Sequence, residues 1–177
     1  ARAARALADW PGVAALRARS ERAMYRENPG PRIVLDAFGD TTPRTAQGAL
    51  LLARAHLAVG NAQAARAALA RMWRTERLDA ADERTIIRQF GHMIPAADHR
   101  FRMERMLYAD RLASAERVAG LANARELAKA FAAVTRNERD AADLLDAVPP
   151  DQRGGAFTFA QARHLRRSEK YREAAAI

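Results

Sequence analysis

Asp98 followed directly by His99, with Arg102 one helical turn on, is the grouping in this chain closest to catalytic chemistry. A carboxylate beside an imidazole is half of a proton relay, and a relay needs a nucleophile to activate. No serine is paired with this dipeptide by any recognisable motif, and the chain has no cysteine. The four histidines, His56, His92, His99 and His164, fall at no metal-ligand spacing, so no metal site is expected. Gly154-Gly155 lies in no phosphate-binding fingerprint and reads as a loop. Structural duties account for the first grouping more simply. Asp98 at a helix start can cap backbone N–H groups, and Arg102 stands at the i+4 position for a side-chain pair. Trp10, Trp73 and the phenylalanines sit singly at helix edges, which favours core packing over sugar stacking. The reading therefore assigns no catalytic, cofactor-binding or metal residue and implies no cofactor. Substrate-binding residues are left open.

The elements that carry these residues all read as helices. Val13 to Tyr25 is helical until Asn28-Pro29-Gly30-Pro31 breaks it, and Ile33 to Phe38 is a short apolar segment ended by Gly39. Thr42-Pro43 is expected to open the next helix, whose Ala46, Leu50, Ala53 and Leu57 recur on one face. Gly60-Asn61 turns the chain, and Ala65, Leu69 and Met72 form the facing stripe. Asp79 can cap a helix bearing Ile86, Ile87 and Phe90, which Gly91 ends. Pro95 to Asp98 opens another with Met103, Met106 and Leu107 inward, and a tight turn near Asp110-Arg111 leads to Leu112, Ala115 and Val118. Two further stripes follow: Ala124, Leu127, Phe131 and Val134, then Ala141, Leu144, Leu145 and Val148. Pro149-Pro150 interrupts the chain, and Gly154-Gly155 precedes a helix with Phe157 and Leu165, with a last helical turn from Tyr171 to Ile177. No useful stretch alternates with period two.

These stripes predict an all-α chain of antiparallel hairpins. The hairpin with Leu52, Ala53, His56, Gly60, Ala65, Leu69 and Met72 follows the tetratricopeptide pattern, with weaker echoes at Ala115, Ala141 and Ala174. The gaps are unequal, so the expected architecture is an irregular tetratricopeptide-like α-solenoid or superhelix, a single region over 1–177. Its expected buried set is Ala53, Leu57, Leu69, Phe90, Met103, Met106, Phe131 and Leu145. Hydrophobic residues make up 49% of the 177 residues but aromatics only 6%, and the excess is alanine, which lets helices approach closely. No apolar run is long enough to cross a bilayer. The start at Ala1 and the stop at Ile177 inside an apparent helix suggest a piece of something longer. The net charge of +9 comes from arginines scattered among Asp and Glu, with Lys129 and Lys170 the only lysines. That texture does not call for nucleic acid as a partner.

Trp73-Arg74, the Phe90-Gly91 helix end and the run Asp98-His99, Arg102-Met103, Arg105-Met106-Leu107-Tyr108 and Arg111 carry a family resemblance. They are similar to the "DH, then R, then LLW or LLY, then GR" run of soluble lytic murein transglycosylases. Ala147-Val148-Pro149 and Ala162-Arg163-His164-Leu165-Arg166-Arg167 resemble the family's "VP" and "ARW-RR" landmarks. His164 stands where tryptophan is commoner in that family, and Asp110 where glycine is commoner. The resemblance implies a periplasmic, non-catalytic superhelical scaffold, with peptidoglycan glycan strands and the protein's own C-terminal lysozyme-like domain as partners. That domain, expected downstream, cleaves the MurNAc–GlcNAc bond to 1,6-anhydromuropeptides with one glutamate as acid and then base. Its Glu-Ser signature is absent here, since Ser20-Glu21 and Ser168-Glu169 have the reverse order. The alternative is a tetratricopeptide-like adaptor that binds a peptide or partner helix without enzymatic activity. An RNA-binding helical repeat would need regular units, which the unequal spacing does not supply.

Overall fold

A computed structural model describes residues 12–177, so Trp10 and Pro11 lie outside the described residues. All regular structure in that range is helical, and no strand occurs among the described residues. The elements are α1 (Val13–Glu27), α2 (Pro31–Phe38), α3 (Ala46–Ala58), α4 (Ala62–Thr75), α5 (Ala80–Phe90), α6 (Ala96–Tyr108), α7 (Leu112–Ala119), α8 (Arg125–Arg136), α9 (Ala141–Asp146), a 3₁₀ turn (Pro150–Gln152), α10 (Gly155–Arg167) and α11 (Tyr171–Ala175). The last helix stops at Ala175, two residues short of the expected Ile177. The chain divides at Ile94–Pro95 into two compact units, Ala1–Ile94 and Pro95–Ile177.

The first unit is organised around α3. Gly48, Ala49, Leu50, Leu51, Leu52, Ala53 and Ala55 are all buried. Helices α1, α2 and α4 all pack against this one helix, so it is enclosed on several sides where a single inward face had been expected. Val34 and Phe38 of α2 meet Leu51, Leu52 and Ala55, which are not on the row that ends at Leu57. Leu57 is 36% exposed, contrary to expectation. The physical reason is position: Leu57 lies in the last turn of α3, and every residue from Leu57 to Gly60 is exposed. The other expected core residues, Ala53, Leu69, Phe90, Met103, Met106, Phe131 and Leu145, are buried.

The entry to α3 also differs from the sequence expectation. Thr42-Pro43 lies in the preceding loop, and Thr45 is the N-cap, its hydroxyl accepting a 2.9 Å bond from the Gly48 amide. In a capping box the third helical residue is a Glu that reaches back to the cap's own N–H. Here that residue is Gly48, and Glu21 of α1 supplies the carboxylate from outside the helix. Its Oε2 accepts from Thr45 N (2.8 Å) and Thr45 Oγ1 (2.7 Å), and its two oxygens accept from Arg44 N at 2.9 and 3.1 Å. A Cβ on residue 48 would collide with the Glu21 carboxylate, so the glycine is what admits it.

In the second unit α8 takes the central place, packing against α6, α7, α9 and α10. Leu127, Ala128, Ala130, Phe131, Ala132, Ala133 and Val134 are all buried, and small alanine side chains allow this enclosure.

One turn recurs. It follows α7 at Asn123 and α8 at Asn137, helices of 8 and 12 residues, and also the 13-residue helices α3, α6 and α10. Each of these last three is followed by a residue of positive φ: Gly60 (78°), Asp110 (53°) and Glu169 (62°). The next residue closes the turn, with Asn61 N, Arg111 N and Lys170 N each donating 2.9 Å bonds to the carbonyls of His56, Met106 and Leu165. Those 6→1 bonds are the Schellman pattern, which satisfies orphan carbonyls at a helix end. The second helix starts at once, with a small residue, Ala65, Ala115 or Ala174, five positions after the left-handed one.

Candidate functional site

Asp98, His99 and Arg102 occupy the first turns of α6, but Asp98 is not its cap. Pro95 holds that position with no side-chain bond, and its carbonyl accepts from the Asp98 and His99 amides at 2.9 and 3.2 Å. A proline here fixes an extended entry into the helix (φ −58°, ψ 144°) and leaves the carboxylate to the third helical residue, where it faces the positive end of the macrodipole. Three residues apart, His99 and Arg102 share a face with Met103 and Met106 and are 1% and 0% exposed. An imidazole and a guanidinium sealed from solvent cannot exchange protons with a substrate unless the unit opens. Their burial suits structural residues set into the core of the second unit and argues against a relay.

The remaining sequence candidates do not converge. His56 is half-buried near the end of α3, His92 is exposed in the loop after α5, and His164 is half-buried on α10. Among the described residues, no group of three or more His, Asp or Glu side chains could hold a metal ion. Trp73 is fully buried on α4. Gly154 and Gly155 are the exposed entry to α10. Glu169 is an exposed turn residue, whereas Glu21, its counterpart in the other Ser-Glu pair, is buried and accepts from the Arg44 and Thr45 amides at the start of α3. Neither Glu21 nor Glu83, which is buried in the first turn of α5, stands out in the sequence. No local signal marks Glu21, whose partners lie more than 20 positions away.

The aromatic residues do not all sit singly as expected. Tyr108, Phe131 and Phe159 form one cluster within the second unit, because α8 brings α6 and α10 together. Tyr108 meets Phe131 and Phe159 edge-on at 6.2 and 5.5 Å, while Phe131 and Phe159 stack at 5.9 Å and 12°. Burial, then the nearby Glu104 carboxylate, pushes the Tyr108 phenol above its usual pKa.

Much of the arginine charge is spent inside the chain. Arg167 donates to the carbonyls of Val134 and Thr135, and Arg163, one turn earlier on α10, reaches Thr135 Oγ1 at 3.4 Å and Asp110 Oδ1 at 3.5 Å. Two guanidiniums thus sit at the C-terminal, negative end of α8, where orphan carbonyls want donors. Arg153 donates to the carbonyls of Val148 and Asp146 at 2.9 and 3.2 Å, and Arg100 to that of Gln152 at 2.6 Å. Gln152 in turn bridges the start of α8, accepting from Leu127 N at 3.1 Å and donating to Glu126 Oε2 at 2.6 Å. That bond is the chief reason the Glu126 carboxyl lies below its ordinary pKa.

Among the described residues, no helix is long and apolar enough to cross a membrane. No family model, no curated protein and no solved structure matches the chain.

Proposed function

We propose that this chain is superhelical scaffold of a periplasmic peptidoglycan lytic transglycosylase, contributing structure and glycan contact while a separate lysozyme-like domain cleaves the MurNAc–GlcNAc bond. The observation that carries the reading is how the residues of the resemblance are used. His99, Arg102, Met103, Met106 and Leu107 are core residues of a single helix, Asp110 has the positive φ that suits the glycine commoner there, and Arg163 and Arg167 tie α10 to the end of α8. Every one of these positions serves packing or capping, which is what a scaffold signature requires and a catalytic one does not. The repeated Schellman turn supports stacked, tetratricopeptide-like hairpins, which would extend as an irregular solenoid.

Two measurements test this. The reading frame should continue past the Ile177 codon into a lysozyme-like domain containing a Glu-Ser pair; a stop codon or an unrelated domain there removes the proposal. Incubated with purified murein sacculi, the chain alone should cosediment with them and release no anhydromuropeptides. Release above a buffer control would mean that the chain carries catalytic residues of its own.

A further inference from the structure

The first unit contains a cleft of about 380 Å³, within the size range of small-ligand sites. Three arginines from three separate elements line it: Arg17 on α1, Arg44 in the loop before α3, and Arg71 on α4. The Thr42 side chain is exposed at the same wall, and buried Met72 of α4 gives the cleft an apolar part. These side chains project from fixed points. Glu21 grips the backbone amides of Arg44 and Thr45, so its four hydrogen bonds lock the base of Arg44 to α1, the helix that bears Arg17. The Gly60 turn holds α4, with Arg71, against α3.

The charge balance points one way. Among the described residues, the carboxylate lining the cleft is Glu76, because the Glu21 carboxylate is buried and committed to the start of α3. Neither the Arg44 nor the Arg71 guanidinium forms an ion pair with a carboxylate among the described residues. Arginines elsewhere in the chain find backbone carbonyls, as Arg153 and Arg167 do, but among the described residues these two side chains find none. Planar, permanently charged forks carried on a braced concave surface match an oxyanion, which accepts paired N–H bonds. The positive end of α3 adds little, since Glu21 already occupies it.

We propose that this cleft binds the carboxylate or phosphate group of a small ligand or of a polymer side group, with Arg44 and Arg71 as its principal donors and Met72 against the ligand's apolar part. The site stands on its own geometry and does not depend on the murein reading. Inorganic phosphate and N-acetyl-dialanine, titrated separately into ¹⁵N-labelled protein, should shift the amides of Thr42, Arg44 and Met72. Phosphate alone doing so identifies a phosphate site, the dipeptide alone a carboxylate site, and both a general oxyanion site. Arg44→Gln and Arg71→Gln should each weaken binding about tenfold, the equivalent of one charge-assisted hydrogen bond, with the melting temperature unchanged. Arg44→Gln keeps the backbone N–H that Glu21 holds, so the fold should survive it. Arg66→Gln, on the same helix but outside the cleft, should bind as wild type. Equal weakening by Arg66→Gln would show diffuse charge attraction and overturn the proposal, as would the absence of cleft shifts with both probes at millimolar concentration.

Discussion

Removing the Glu21 carboxylate should loosen the first unit more than its position in an arginine-rich surface helix suggests. Glu21→Ala deprives Arg44 N, Thr45 N and Thr45 Oγ1 of their acceptor. The Arg44 amide is only part-buried and can turn to water, but the Thr45 amide is buried and is left unsatisfied, at about 1–3 kcal/mol. Loss of a negative charge at the start of α3 adds about 0.5–1 kcal/mol. The sum is about 3 kcal/mol, or about 6–12 °C in melting temperature for a chain of this size. Gly48 makes the reasoning testable by sign. With Glu21 present, Gly48→Ala drives a methyl group into a carboxylate that four hydrogen bonds hold in place, and overpacking of that kind costs about 1–3 kcal/mol. With Glu21 already Ala, the obstacle is gone and the same substitution should gain up to about 1 kcal/mol from helix propensity. Urea unfolding followed by tryptophan fluorescence is the assay, because Trp73 is buried within the Ala1–Ile94 unit. Equal costs for Gly48→Ala in the two backgrounds would refute the tertiary cap, as would a loss below about 1 kcal/mol for Glu21→Ala.

Three further outcomes are expected, each from denaturant or thermal unfolding. Arg102→Ala should cost about 3 kcal/mol and His99→Ala about 2 kcal/mol, because both side chains are buried, while Asp98→Ala should stay near 0.5–1 kcal/mol because its carboxylate is half-buried and does not cap the helix; an equal loss at all three would contradict the assignment of Pro95 as cap. Asp110→Gly should be neutral or slightly stabilising and Asp110→Val should lose about 1–2 kcal/mol, since φ of 53° suits glycine and strains a β-branched residue; the reverse order would refute the left-handed turn. The Glu126 carboxyl is depressed below its ordinary 4.5, so its contribution is present above that pH and is lost as pH falls through the lower folded value. The melting-temperature difference between wild type and Glu126→Gln should therefore be flat above pH 4.5 and shrink below it, and a difference that grows on acidification would reverse the sign of the Gln152 contact.

Helix identity and most boundaries were written locally. Asp79 caps α5 by accepting from the amides of Ala81 and Asp82, Gly39 and Gly91 end helices, Pro31 begins one, and Gly60-Asn61 turns the chain. Such features rest on a residue's own side chain and on neighbours within four positions, so a linear reading reaches them. The tight turn near Asp110-Arg111 was also legible, and the Asp110 backbone there is left-handed. What the sequence could not decide was which of several eligible groups would be used. Thr42 and Thr45 are both eligible to open α3, and the choice falls on Thr45 because a carboxylate 24 positions earlier binds its amide. Asp98 has the right chemistry for a cap, yet the backbone enters α6 through Pro95. Leu57 continues the stripe of α3 but ends exposed, because it lies in the exposed last turn of that helix. Tyr108, Phe131 and Phe159 look isolated along the chain and meet only when α8 gathers the helices on either side. The fate of the arginines followed the same rule: whether a guanidinium reaches a carbonyl, as at Arg167, or faces a cleft, as at Arg71, depends on which helix end the packing brings within its reach. Hydrogen bonding to nearby backbone is a local property, but pairing across the fold depends on distances that only the packed chain defines.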